Sequence, residues 1–176
     1  MPLNQPKPST RILGAMLHGI AGQTYPQQLY TLGLEDLNAK GIRGAKRSGW
    51  RFLGKLAGRD MSLDVAQARG KPAEMTELAH GPHITRARDA IRKIVTLPEV
   101  LAHHYELRLL TIPALSVEAV WLKSQTRQPD LIVPYLTITG LRSMRVYPAD
   151  KFFKALEPAA QEVLESDDSP RMRRRP

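Results

Sequence analysis

The chain contains no cysteine. That absence removes a disulfide framework, a thiolate nucleophile, a cysteine-ligated zinc site and an iron–sulfur cluster. It also suits a reducing compartment, so the expectation is a soluble, cytoplasmic protein. Aromatic residues are scarce, with 2 Trp, 5 Tyr and 3 Phe among 176 residues. No apolar run approaches the roughly 20 residues of a spanning helix, so no transmembrane segment is expected. A nucleophile elbow, a phosphate loop, a zinc knuckle and a dinucleotide fingerprint are all missing, and no cofactor is implied. The run "RILGAMLHGIAG" at 11–22 follows basic residues, but His18 and three glycines interrupt it and no small-residue cleavage site follows. A secretory signal is therefore not expected.

Hydrophobic content of 42% and charged content of 24% are ordinary for a globular chain, while 14 Pro and 12 Gly favour many turns. The length suits one hydrophobic core. The expected layout is a flexible arm at 1–10, a single domain at 11–166 and a disordered Arg-rich tail at 167–176.

Charge of one sign is concentrated. Of the formal net charge of +9, residues 40–59 carry +7 and residues 171–176 carry +4, which leaves −2 for the remainder. The segment "KGIRGAKRSGWRFLGKLAGR" has no Asp or Glu. Localised charge of this kind attracts a polyanion or an anionic surface better than dispersed charge does.

The patterning suggests helices in the N-terminal half. Leu29, Leu32 and Leu37 stand at loose helical spacing, and "DMSLDVAQARG" and "KPAEMTELAHG" read as two short helices stopped by Gly70 and Gly81. The segment "HITRARDAIRKIVTLPE" carries an apolar stripe of Ile84, Ala87, Ile91, Ile94 and Val95, with Pro98 beyond its end. Its other side holds Arg86, Arg88, Arg92 and Lys93, and Asp89 stands four residues before Lys93. From Tyr105 onward, "YELRLLTI", "LSVEAVWLK" and "DLIVPYLTIT" are rich in β-branched and aromatic residues and predict three strands, the third at an edge or broken at Pro134. A helix at 149–166 is expected to kink or restart at Pro158. The sum is an α+β fold, with a small antiparallel sheet of about three strands at 105–139 covered by N-terminal helices and a C-terminal helix.

Projected at 100° per residue, 40–59 places Lys40, Arg43, Arg47, Arg51, Lys55 and Arg59 in one sector, with Ile42, Phe52, Leu53 and Leu56 opposite, Trp50 at the boundary and Lys46 out of place. Five glycines weigh against that helix by about 4–5 kcal/mol. The sequence accordingly favours a non-catalytic protein that engages nucleic acid phosphates through these residues and Trp50, extended by Arg86, Arg92 and Lys93. An adaptor meeting an acidic protein partner is the alternative, and membrane-surface docking through Trp50 and Phe52 is a weaker one. A third reading is an enzyme built around His80, His83, His103 and His104, although Pro82 denies the first pair the i,i+4 geometry of a helical metal site. No metal site is expected. Glu106 is expected to pair with Arg108, and Trp121 and Tyr105 to fill the core.

Overall fold

The computed structural model describes residues 26–56, 58–66 and 73–167. The expected arm at 1–10, the run at 11–22 and the Arg-rich tail from residue 168 lie outside the described residues. Among the described residues, eight strands, not three, form one mixed sheet in the order β4-β3-β2-β1-β5-β6-β7-β8. They are β1 (Gln27–Thr31), β2 (Lys46–Leu56), β3 (Arg59–Ala66), β4 (Glu74–His80), β5 (Tyr105–Ile112), β6 (Val117–Ser124), β7 (Leu131–Leu136) and β8 (Tyr147–Pro148). Four α-helices accompany them: α1 (Leu34–Lys40), α2 (Pro82–Ile94), α3 (Pro98–Leu101) and α4 (Ala149–Asp167). The small three-stranded sheet is therefore a correction: strands form at β5, β6 and β7, but they are three of the eight strands of a larger mixed sheet.

The helical reading of residues 40–59 also fails. Only Lys40 is α-helical; a 3-10 turn spans Gly41–Gly44, β2 takes Lys46–Leu56, and Arg59 begins β3. Strand geometry tolerates the glycines for particular reasons. Gly58, at φ +78°, closes the hairpin between the paired residues Leu56 and Arg59. At Gly49 a Cβ would collide with the carbonyl oxygen of Val65 on the neighbouring strand. The two short helices expected at 60–81 are β3 and β4, for the same reason of periodicity: Met61, Leu63 and Val65 alternate with Ser62 and Asp64.

Two antiparallel halves, β4 to β1 and β5 to β8, join at one parallel pair, with Leu29 opposite Leu109 and Tyr30 opposite Leu110. The chain returns from β4 to β5 through α2, which Gly81 (φ +133°) and Pro82 at the first helical position introduce. Both faces of the sheet are covered. On one, Ala87, Ala90 and Ile94 of α2 pack on Leu109, Val120 and Val133. On the other, Phe152, Leu156 and Ala160 of α4 and Leu37 of α1 pack on Leu110, Ala119, Trp121 and Ile132. A third cluster, Trp50, Phe52, Leu63 and Val65, lies on β2 and β3.

Pro134 sits where β8 no longer pairs, since β8 reaches only Leu131 and Ile132. Its missing N–H therefore breaks no ladder on that side, and its carbonyl accepts the Met144 N–H at 2.7 Å. Helix α4 runs unbroken through Pro158, so the expected restart does not occur. Glu106 pairs with Arg108 at 2.8 Å, as expected, while Arg92, not Lys93, approaches Asp89, at 3.6 Å.

Candidate functional site

The cations of 40–59 do not form one stripe. On β2, Lys55 falls on the α2 side of the sheet with Arg51, whereas Arg47 stacks at 4.3 Å over Trp50 on the opposite side. Residues three apart on a regular strand face opposite ways. The bulge that leaves Ser48 unpaired against β1 brings Arg47 and Trp50 together. Trp50 is buried, and Arg59 belongs to β3 beyond the hairpin. Lys40 and Lys46 share Asp36, at 2.8 and 3.0 Å, and their hydrogen bonds hold its carboxyl below the usual range. Arg86, Arg92 and Lys93 lie exposed on α2, where Lys93 donates to the Met144 carbonyl at 2.8 Å.

Arg51 departs furthest from the expectation. It is 5% exposed, and its guanidinium donates from Nε and Nη2 to the two oxygens of Asp64 at 2.7 and 2.8 Å. Its Nη1 donates to Glu118 at 3.1 Å and to the Tyr135 hydroxyl at 3.3 Å. Asp64 is its cross-strand partner in the β2–β3 register, but Glu118 and Tyr135 come from β6 and β7. Three strand steps separate β2 from β6, about 14 Å at ordinary spacing. On the two strands between, Thr31 and Thr111 stand opposite each other, and Thr111 is the cross-strand neighbour of Glu118.

Burial opposes the charge on Arg51, yet hydrogen bonding to Asp64 and the neighbouring Tyr135 and Glu118 outweigh it and raise its pKa further. Burial, reinforced by the Glu118 charge, pushes the Tyr135 hydroxyl well above the tyrosine range, so it stays a neutral phenol. Asp64 has both oxygens committed to Arg51 and is not available as a base. Glu118 reaches closer to solvent, with 18% of its side chain exposed.

Arg51, Asp64 and Glu118 of this network line one wall of a cleft of about 450 Å³. Thr31, Ser48, Thr76, Thr111 and Ser116 supply hydroxyls, and Leu29, Pro113, Val117 and Leu136 supply apolar surface. The Thr31 hydroxyl donates to Ser48 at 3.0 Å, and Thr76 donates to the Asp64 carbonyl at 3.3 Å. Ser116 holds a left-handed backbone, φ +49°, in the turn between β5 and β6. That conformation is uncommon outside glycine and recurs at ligand clamps.

His80, His83, His103 and His104 do not line this cleft. His80 ends β4, His83 lies in the first turn of α2, and His103 and His104 precede β5, with the His103 ring 6.4 Å from that of Tyr105. Among the described residues, no group of three or more His, Asp or Glu is placed to hold a metal ion, and no helix is long and apolar enough to cross a membrane.

Sequence reasoning singles out Arg51 as a cation but does not place Asp64, Glu118 or Tyr135 beside it. The available signal was the alternation around Asp64, which places it on the Arg51 side once 46–66 is read as a hairpin. No family model, curated protein or solved structure matches this chain.

Proposed function

We propose that the protein binds a small, donor-rich polar molecule in the cleft beside Arg51. The observation that supports this reading is a buried guanidinium, matched by Asp64, Glu118 and Tyr135, at the wall of a concavity lined with hydroxyls. A buried ion network is a poor choice for holding strands together, because apolar residues of similar volume are often as stable or better by about 1–4 kcal/mol. A ligand floor has a different requirement: polar groups fixed in direction beside an apolar wall. Beyond the Asp64 and Glu118 oxygens that accept from Arg51, the cleft lining adds the Glu77 carboxylate and five hydroxyls as acceptors. A polyol or an amine fits that balance better than a phosphate does. Calorimetric titration with sugars, polyols, amines and nucleotides tests this. The expected result is binding by a polyol or amine that weakens about tenfold in Thr111→Val. A protein that takes up only anionic compounds, or none of the panel, refutes the reading.

A second reading retains the nucleic acid proposal on a smaller set of residues. Lys40, Arg43, Lys46 and Arg47 are all exposed within one turn and the start of β2, with Asp36 the acid between two of them. Four phosphate contacts to single-stranded RNA would lower affinity roughly fiftyfold between about 50 and 200 mM salt. A response independent of salt eliminates it, and co-purification of an acidic polypeptide in equal amount would assign the corner to a protein partner.

A further inference from the structure

The outer side of β4 is the edge of the sheet, and no strand pairs with it among the described residues. All but one of its seven residues are exposed, the exception being partly buried Ala79. A strand of that length presents about 23 Å of outward N–H and C=O groups. Natural edges are blunted by lysine, proline, a bulge or a cover, because an open row of backbone groups templates another strand. "EMTELAH" contains neither lysine nor proline. Besides the charge of Glu74 and Glu77, its protective device is the register shift opposite Asp64 and Val65, which leaves Thr76 unpaired and Glu77–His80 regular.

The same shift sorts the side chains. Met75 and Leu78 fall on the side of Val65 and Leu63, where they are 48% and 40% exposed at the margin of the Trp50 and Phe52 cluster. Glu74 and Glu77 fall on the side of Ala66 and Asp64. The edge therefore offers backbone pairing, an apolar strip on one face and two carboxylates on the other.

We propose that β4 is a docking edge for an extended partner segment that alternates basic and apolar residues and adds to the sheet as a ninth strand. Its apolar side chains would cover Met75 and Leu78, and its cations would meet Glu74 and Glu77. A second copy of β4 fits poorly, because antiparallel self-pairing centred on Glu77 sets two carboxylates directly opposite. The edge shares Glu77 with the lining of the cleft, but the inference rests on the outward backbone groups of β4 and on Met75 and Leu78, which do not line it.

The test uses the full chain and a fluorescent six-residue peptide alternating lysine and valine, with an alternating glutamate and valine peptide and an N-methylated lysine peptide as comparisons. Anisotropy is expected to show the basic peptide binding at least about tenfold tighter than the acidic one. N-methylation of alternate amides should abolish binding, and Glu74→Lys with Glu77→Lys, both exposed positions, should reverse the preference. Equal binding by the N-methylated peptide, or indifference to the charge reversal, overturns the proposal. A dimer in sedimentation that dissociates in Leu78→Lys also overturns it, by giving the edge to a second copy.

Discussion

At Arg51 a permanently charged side chain is held in a low-dielectric place by partners from three strands, so removing it strands two carboxylates. Arg51→Met is expected to lower stability by about 3–5 kcal/mol in urea denaturation, and adding Asp64→Leu should recover much of that loss. If the double variant were less stable than the single one by the full cost of a second core substitution, Arg51 and Asp64 would not be coupled. Arg51→Lys should rescue little, because an ammonium cannot reproduce two parallel hydrogen bonds to one carboxylate. Asp60 supplies a pH signature. Its hydrogen bond from Thr85, with the Arg88 ion pair, holds its folded pKa below the unfolded value. Its contribution is therefore fully present above that unfolded value, near pH 4, and is lost as pH falls through the lower folded value. The urea midpoint should fall less steeply with acid in Asp60→Asn than in the parent below about pH 4.

Elements differ in how plainly the sequence announces them. Helix α2 was legible because Ile84, Ala87 and Ile94 recur at helical spacing and all three are buried. Strands β5, β6 and β7 were legible because β-branched and aromatic residues cluster there. The hairpin of β2 and β3 was not. A 20-residue segment can be projected onto a helix so that its cations gather, and Arg51 makes that projection look sound while its side chain points into the protein. The alternation of Met61, Leu63 and Val65 was present, but Ser62 and Asp64 are buried as well, so the strand lacks a solvent face to mark its period. The cleft was less legible still, since Arg51, Glu118 and Tyr135 meet only after distant strands are ordered. Gly49 tests the hairpin directly. With no room for a Cβ against Val65, Gly49→Ala is expected to destabilise by about 1–3 kcal/mol, measured by thermal unfolding. Gly33→Ala, with open space at its Cβ, serves as the control.

On the scale of the whole molecule, both sheet faces carry apolar clusters, and α4 contributes a fully buried aromatic anchor to one of them. Phe152 is fully buried and meets Tyr147 and Phe153 with ring centroids 6.3 and 5.2 Å away. Phe152→Ala should therefore cost about 3–5 kcal/mol in equilibrium denaturation; a loss below 1 kcal/mol would mean that α4 is not integral to the core. The α+β class named from the sequence survives only in its coarse form, because the mixed sheet arises from a pairing between segments some 80 positions apart, Leu29 with Leu109. Nothing local encodes such a pairing.

The parallel seam of β1 and β5 has a kinetic corollary. Every other strand pairing in the sheet joins antiparallel neighbours, and within each half these can close over shorter loops, whereas the seam must bring together strands separated in sequence by β2, β3, β4 and α2. Loop-closure entropy then places it late, so weakening substitutions at Leu29 or Leu109 should accelerate unfolding while leaving the refolding rate nearly unchanged.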